Sequence, residues 1–204
     1  MLPQSRVDSE VIGRSVDQRV YLHDVAWEDF ERLLAIKGDD PVPRMAYLEG
    51  TVELMTPSED HEAIKKTIAR LLEAYAEELG IELEGIGSWT LKRAEEKRGV
   101  EPDECYSIGR VRGKMPDIAI EVNWTGAGID KLDIYRGLGV REVWMWDENR
   151  ITVFVLRAGG YERTVRSELL PQVDVDLIQS LLDRPTQTAA LRELRARLRN
   201  STGP

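Results

Sequence analysis

The sequence is poor in the two residue types that most often bind zinc. It has one cysteine, Cys105, and two histidines, His23 and His61, among 204 residues. A single cysteine excludes an intramolecular disulfide bond and a cysteine-based zinc site, and two histidines leave little for a histidine-rich one. We therefore expect any metal site in this chain to use oxygen ligands.

Long apolar runs and a signal-peptide pattern are also missing. The chain has no apolar run of about 18 residues, the length that a bilayer-spanning helix requires, and residues 1–20 lack the basic-then-apolar order of a signal peptide. We therefore expect a cytoplasmic protein with no membrane partner. The formal net charge of −9 argues against a wholly basic nucleic-acid binder, although it does not exclude a local basic patch.

What the sequence does contain is typical of one soluble globular domain. Of its 204 residues, 42% are apolar and 32% are charged, which is enough for a sizeable core and a solvated surface. We expect a loose N-terminal arm at residues 1–24, the main domain at residues 25–185, and a C-terminal helix with a frayed tail at residues 186–204.

The hydrophobic pattern indicates a mixed fold of helices and strands. Apolar residues recur at helical spacing between positions 60 and 79, which predicts an amphipathic helix. A strand pattern at 118–122, a helix pattern at 129–138 and a second strand pattern at 140–146 follow one another. This order predicts a right-handed crossover between parallel strands of a mixed sheet.

The strand predicted at 118–122 carries acidic residues on one side. Ile118, Ile120 and Val122 share one face, and Asp117 and Glu121 share the other, because successive side chains of a strand point to opposite faces. On an edge strand this acidic face would simply be solvated. A strand that leads into a crossover helix is usually covered on both faces, and buried acids are costly there, which makes the carboxylates functional candidates.

Several segments together carry a resemblance to a known family. They are Glu101-Pro102-Asp103 in VEPDECY at 100–106, PDIAIEV at 116–122, Lys131 with Tyr135, and GVREVWMW at 139–146. No segment is specific alone, but their order and spacing resemble the Uma-two family of putative restriction endonucleases, within the PD-(D/E)XK nuclease superfamily. With the upstream segment at 49–57 and the helix start at His61, the resemblance covers roughly residues 25–156.

The resemblance implies a restriction-endonuclease-like fold of the α/β (mixed α+β) class, with a central mixed β-sheet flanked by helices. It also implies a metal-dependent endonuclease that hydrolyses phosphodiester bonds in DNA, with RNA left open as a substrate. Asp103 and Glu121 would bind Mg²⁺ or Mn²⁺, with the backbone carbonyl of Val122 as a third ligand. Asp117 is a second-tier candidate, because it is too close to Glu121 on the same strand.

The sequence departs from the superfamily pattern at the catalytic lysine. The superfamily places a lysine two residues after the second acid, and here that position is Asn123. An amide cannot supply positive charge to the phosphate. In the Uma-two pattern the lysine lies in the following helix, and Lys131 occupies the matching position with Tyr135 one turn later. The alternative interpretation of Lys131 is an ordinary solvated lysine.

Two further sets of residues have both a functional and a structural interpretation. His61 falls on the apolar side of the helix predicted at 60–79, where it is either a second-tier site residue or a hydrogen-bonded core histidine. The predicted pairing of strands 88–91 and 105–108 would place four basic residues at the ends of one hairpin, as phosphate contacts or as solvated turn residues. They are Arg93, Arg98, Arg110 and Lys114.

Two other function classes remain open from the sequence. Asn123 and the net charge of −9 favour a nuclease fold that has lost cleavage and binds nucleic acid or protein. An α/β enzyme acting on a small phosphorylated substrate also remains open, because fold does not fix function. The expected partner is nucleic acid, DNA before RNA, and a homodimer is left open.

Overall fold

The computed structural model describes residues 15–109, 113–123 and 128–201. The strands are β1 Gln18–Leu22, β2 Arg44–Leu48, β3 Thr51–Thr56, β4 Leu83–Gly85, β5 Leu91–Arg93, β6 Arg98–Val100, β7 Glu104–Ile108, β8 Ile118–Asn123, β9 Glu142–Asp147, β10 Arg150–Arg157 and β11 Gly160–Thr164. The helices are α1 Trp27–Lys37, α2 Glu59–Leu79, α3 Lys131–Leu138, α4 Val175–Ser180 and α5 Gln187–Ser201.

The first sheet is antiparallel and has the order β1-β3-β2-β6-β5. Helix α1 packs on it through Phe30, which is fully buried and stacks on Tyr47 with ring centroids 4.9 Å apart. Gly99 in β6 lets α1 approach closely, since a Cβ atom there would lie 2.7 Å from the Phe30 ring. Small residues and aromatic packing thus fix this helix on the sheet.

The second sheet is mixed and has the order β11-β10-β9-β8-β7-β4. Strands β8 and β9 are parallel and the other pairs are antiparallel, so α3 forms the crossover between β8 and β9. The predicted mixed sheet flanked by helices is therefore confirmed. None of the helices in the described ranges is long and apolar enough to cross a membrane.

Strand β8 is covered on both faces, as its sequence predicts. Ile118, Ile120 and Val122 belong to the main core, which also contains apolar residues of α2, α4 and α5. Ala119 belongs to a second core that lies between α3 and residues of the first sheet, including Ala46 and Val100. Helix α3 is thus enclosed between the two sheets, and the acidic face of β8 points toward it.

The predicted pairing of strands 88–91 and 105–108 is wrong. Strand β5 pairs with β6, and β7 pairs with β4 on one side and β8 on the other. The segment between Lys92 and Gly99 has the composition of a loop because charged residues occupy the turn of a short edge hairpin, where Lys97 has a φ of 48°. Strand β1, in the segment expected to be a loose arm, pairs with β3.

Candidate active site

The end of β8 and the start of α3 bring three polar side chains together. Glu121 on β8 is only 1% exposed, and its carboxylate contacts the Lys131 ammonium through Oε2 and the Tyr135 hydroxyl through Oε1. Lys131 and Tyr135 are four residues apart and therefore share one face of α3. Asp130 caps this helix by accepting a hydrogen bond from the Asp133 amide at 3.0 Å, which fixes where its first turn begins.

Tyr135 keeps its proton in this arrangement. Burial of its ring, the negative charge of Glu121 and the hydrogen bond to that carboxylate raise the pKa of Tyr135 well above its ordinary value. The hydroxyl is therefore a permanent donor to Glu121 at physiological pH. Lys131 supplies the compensating charge that a buried carboxylate needs.

A cavity of about 200 Å³ opens beside these residues. The charged and amide side chains that line it are Arg19, Glu53, Glu121, Asn123, Asp130 and Lys131. The cavity thus contains three carboxylates against two cations, and two of the carboxylates, Glu53 and Glu121, are almost completely buried. Such a concave site with converging titratable groups is the usual form of an active site.

Glu53 is a site residue that the sequence reasoning missed. It lies on β3, is 2% exposed, and uses Oε2 to accept hydrogen bonds from the Tyr21 hydroxyl at 3.0 Å and the Ile129 amide at 3.1 Å. Arg19 lies 3.6 Å from the same oxygen. Oε1 of Glu53 accepts none of the hydrogen bonds found among the described residues. The signal in the sequence was an acid within the apolar strand Val-Glu-Leu-Met.

The charge of Glu53 also acts on its neighbour in β1. Burial, the Glu53 charge and the hydrogen bond to it raise the pKa of Tyr21. Strand β1 therefore places both a hydroxyl and a guanidinium group beside Glu53, and Arg19 also lines the cavity. These contacts explain why the segment at 18–22 is ordered against β3.

Asp103 lies next to the β8 backbone but not in the cavity lining. Its Oδ1 contacts the Arg44 guanidinium and lies 3.0 Å from His61 Nε2, and its Oδ2 accepts a hydrogen bond from the Val122 amide at 2.7 Å. These contacts use three of the roughly four lone-pair positions of a carboxylate. Asp103, the predicted first metal ligand, is 1% exposed, and protein donors leave it about one open lone-pair position, on Oδ2.

His61 connects Asp103 to a second buried acid. Its ring is fully buried, with Nε2 on Asp103 and Nδ1 3.1 Å from Oδ2 of Asp17. Burial raises the pKa of Asp17, but hydrogen bonds from His61 and the Ser58 amide outweigh it and lower this pKa to about 2. His61 therefore has the contacts of a hydrogen-bonded core histidine, and it does not line the cavity.

The second-tier acid Asp117 lies at the opposite end of β8 from the cavity. Its carboxylate accepts hydrogen bonds from the Ile108 amide at 2.7 Å and from Arg141 at 2.5 Å. Asp117 and Glu121 are four positions apart in sequence, a distance of about 13 Å along the strand. The structure does not bring these two acids together.

Two of the basic residues expected to contact phosphate hold α3 in place instead. Arg93 donates to the carbonyl oxygens of Gly137 at 3.0 Å and Leu138 at 3.1 Å, at the end of α3. Arg98 is 7% exposed and is paired with Asp133 at 2.7 Å and Glu49 at 3.0 Å. Their guanidinium groups are therefore engaged within the protein, because the hairpin on which the expectation rested does not form.

The other two of these basic residues are Lys114 and Arg110. Lys114 is exposed, whereas Arg110 lies outside the described residues.

Asn123, at the position of the superfamily lysine, lines the cavity and donates to Asp147 at 3.3 Å. Lys131 is thus the lysine that reaches Glu121 among the described residues.

Carboxylates that line the cavity are oxygen ligands of the kind that a hard cation takes. Within the described ranges, no group of three or more histidine, cysteine, aspartate or glutamate side chains is arranged to hold a metal ion. Mg²⁺ commonly uses only one or two protein carboxylates and keeps several waters. Glu53 and Glu121 line one cavity, so two carboxylates are the oxygen donors that fit such an ion there.

Comparison with known proteins places the chain in a family. A family model described as "Putative restriction endonuclease", Uma2, matches residues 27–187. The chain belongs to the Uma2 family. Its fold is similar to that of a solved structure described as a putative nuclease of the DUF820 family from Anabaena variabilis, with a TM-score of 0.52 and 19% identity over 72% of this chain and 96% of the other. No curated protein matches the chain.

Membership of the Uma2 family confirms the resemblance found in the sequence. The matched range includes β8 and α3, and it also includes Glu53, Asp103, Glu121 and Lys131. The residues of the cavity therefore lie inside the family's domain, apart from those that β1 contributes. The solved neighbour supports the fold, and the roles of individual residues depend on the geometry described above.

Proposed function

We propose that this chain is a divalent-metal-dependent phosphodiesterase that cleaves nucleic acid, DNA before RNA, in the cavity at the end of β8. The observation that carries the proposal is that Glu53, Glu121 and Lys131 line one cavity. Family membership supports a nuclease function at a general level. The charged groups of the cavity provide the specific chemistry.

Glu53 and Glu121 are the residues that we assign to a Mg²⁺ or Mn²⁺ ion, with the Val122 carbonyl as a further donor. A hard cation prefers these oxygen ligands. Such an ion, when bound, withdraws charge from a phosphate oxygen and makes a water molecule more acidic. Two buried carboxylates on one cavity are a costly arrangement, and a divalent cation would offset that cost.

Lys131 and Arg19 supply the positive charge for the phosphate. Their side chains are 14% and 10% exposed, so both reach the cavity from partly buried positions. The first turn of α3 also lines the cavity, and the positive end of a helix dipole favours an anion there. Fixed positive charge directed at a reacting phosphate stabilises the charge that develops in the transition state.

Asp103 has a supporting role in this proposal. Its bond to the Val122 amide holds the end of β8, and its contacts with Arg44 and His61 neutralise it. To act as a metal ligand, as its place in the sequence predicts, Asp103 would have to use the remaining lone pair of Oδ2 or exchange one of these donors for the ion. The ligand assignment is therefore tested by comparing Glu53 with Asp103.

The test measures metal binding and cleavage in the same variants. We expect calorimetric titration of the wild type with MnCl₂ to show binding, and plasmid DNA to be cut only when Mg²⁺ or Mn²⁺ is present. Glu53→Gln and Glu121→Gln should abolish ion binding and strongly lower the rate of cleavage, whereas Asp103→Asn should retain measurable ion binding. Loss of binding in Asp103→Asn with retention in Glu53→Gln would overturn the ligand assignment.

A second candidate function is nucleic-acid binding without cleavage. The three protein donors on Asp103 and the neutral amide of Asn123 favour it, because neither position offers an unpaired charged group of the kind that the superfamily uses. In that case the wild type would slow the migration of labelled DNA in a gel-shift assay. Its affinity for DNA would fall steeply as the salt concentration rises. It would cut neither DNA nor RNA with either metal.

A further inference from the structure

The two oxygens of Glu121 are held in unequal ways. Oε1 accepts a hydrogen bond from the hydroxyl of Tyr135, and Tyr135 is 0% exposed. Oε2 accepts from Lys131, whose side chain is 14% exposed and lines the cavity. The donor to Oε1 therefore comes from the protein core, whereas the donor to Oε2 comes from the cavity, which a ligand can reach.

Tyr135 has little freedom to release its oxygen. Its ring lies in the core between α3 and the two sheets, with Ala119, Leu138 and Val143 among the buried residues of that core. Arg93 and Arg98 further hold α3, because the first binds carbonyl groups at its end and the second pairs with Asp133. The hydroxyl can donate one hydrogen bond, and Oε1 of Glu121 accepts it.

Lys131 is free to leave by comparison. Its ammonium is at the end of a flexible four-carbon chain, and it has three protons that can turn to other acceptors. An incoming cation displaces a lysine from a carboxylate without moving the backbone. It cannot displace Tyr135 without disturbing a packed core.

We propose that Tyr135 is a positioning residue that leaves Glu121 only Oε2 for a metal ion and thereby makes the site prefer Mg²⁺ to Ca²⁺. The inference rests on the proposed function, since it requires the cavity to bind a divalent cation. Mg²⁺ is small and octahedral and takes single carboxylate oxygens, whereas the larger Ca²⁺ gathers six to eight oxygens and often takes both oxygens of one carboxylate.

Tyr135→Phe tests this without removing the ring from the core. Titration calorimetry with MgCl₂ and with CaCl₂ gives the ratio of the two dissociation constants for each protein. We expect the preference for Mg²⁺ to fall about tenfold in Tyr135→Phe, mainly through tighter Ca²⁺ binding, because freeing Oε1 removes a hydrogen bond to a charged group. An unchanged ratio would overturn the inference.

Tyr106→Phe is the matched control. Tyr106 in β7 is also 0% exposed and donates its hydroxyl to a glutamate, Glu73, at 3.2 Å, and neither residue lines the cavity. The control should lose a similar amount of thermal stability and keep the wild-type ratio of Mg²⁺ to Ca²⁺ affinity. An equal change of the ratio in both variants would show a general effect of lost stability and would contradict the specific role of Tyr135.

A measurement on the wild type keeps the inference testable if Tyr135→Phe does not fold. Crystals soaked in CaCl₂ should show Glu121 bound to the ion through Oε2 alone, with Oε1 still on the Tyr135 hydroxyl. A bidentate Glu121 would overturn the inference and leave the metal site intact. Absence of divalent-ion binding to the wild type in calorimetry would instead overturn the proposed function on which the inference rests.

Discussion

Two buried acids near Val122 are neutralised by different sets of neighbouring groups. Asp103 and Glu121 are each 1% exposed, and each has basic groups beside it. Asp103 is fixed by Arg44, His61 and a backbone amide, and it does not line the cavity beside Glu121. Glu121 is paired with a single lysine at the edge of a cavity.

The difference separates a structural acid from an exchangeable one. Removing the donors of Asp103 would leave buried charges of both signs without partners, which lowers the free energy of unfolding. Exchanging Lys131 for another cation at Glu121 only replaces one counter-charge by another. We therefore assign stability to the Asp103 side and chemistry to the Glu121 side, and each of the following changes tests that division.

Glu121→Gln should have the largest effect on cleavage. The loss of a charged ligand should lower the rate of DNA cleavage on the order of a thousandfold and remove the rise in melting temperature that Mn²⁺ gives the wild type. The control is Glu142→Gln, because Glu142 is also fully buried but binds Trp144 and the Glu168 amide away from the cavity. Equal losses in the two variants would contradict the special role of Glu121.

Asp103→Ala should have the largest effect on stability. It leaves Arg44 and His61 buried without the acid between them, and we expect the free energy of unfolding to fall by about 3–5 kcal/mol. Urea denaturation measures this change. Glu53→Gln should cost only about 1 kcal/mol in the same experiment, since the amide oxygen still accepts hydrogen bonds. A larger loss of unfolding free energy in Glu53→Gln than in Asp103→Ala would contradict the assignment of stability to the Asp103 side.

Lys131→Ala should lower cleavage about a hundredfold, because a positive charge near the reacting phosphate is lost. Metal affinity should stay the same or rise slightly, since a competing cation has left Glu121. Lys131→Arg should restore little, because a planar guanidinium group does not replace a compact ammonium.

Lys65→Ala provides the control for this variant. Lys65 is equally buried, with a side chain 13% exposed, and is paired with Glu62 outside the cavity lining. Cleavage should be unchanged in it. Wild-type cleavage by Lys131→Ala would remove the lysine from the mechanism.

Asp17→Asn should have the smallest effect on cleavage, because Asp17 does not line the cavity. Its effect on stability should be present at neutral pH and should disappear in acid. The folded-state pKa of Asp17 is about 2, below its ordinary value, so its contribution is present above about pH 4 and is lost as pH falls toward 2. The contribution is about 2 kcal/mol for a shift of this size. Urea denaturation between pH 2 and pH 5 should show a shallower pH dependence in the variant, and an unchanged slope would contradict the assignment.

The sequence predicts the part of the site that is local in the chain. Alternation places Glu121 on the face opposite Ile120 and Val122, and the crossover helix that follows predicts that this face is covered. The family resemblance identifies Lys131 and Tyr135, and helical spacing puts the two on one face. Both features arise within about four residues of backbone geometry. The fold class follows from the order of strand, helix and strand around them.

The missing part of the site depends on contacts between distant segments. Glu53 reaches the Ile129 amide across 76 residues of sequence, and Asp17 reaches His61 across 44. No periodicity links these positions. The hairpin at residues 91–100 was missed for a different reason, since its turn is charged and its strands have only three residues each.

The most direct test of the division between the two acids is the position of a bound ion. An anomalous difference map from wild-type crystals soaked in MnCl₂ should show a peak in the cavity, within coordination distance of Glu121 and Glu53, with Asp103 still bound to Arg44 and His61. A peak on Asp103 with Arg44 displaced would contradict the account.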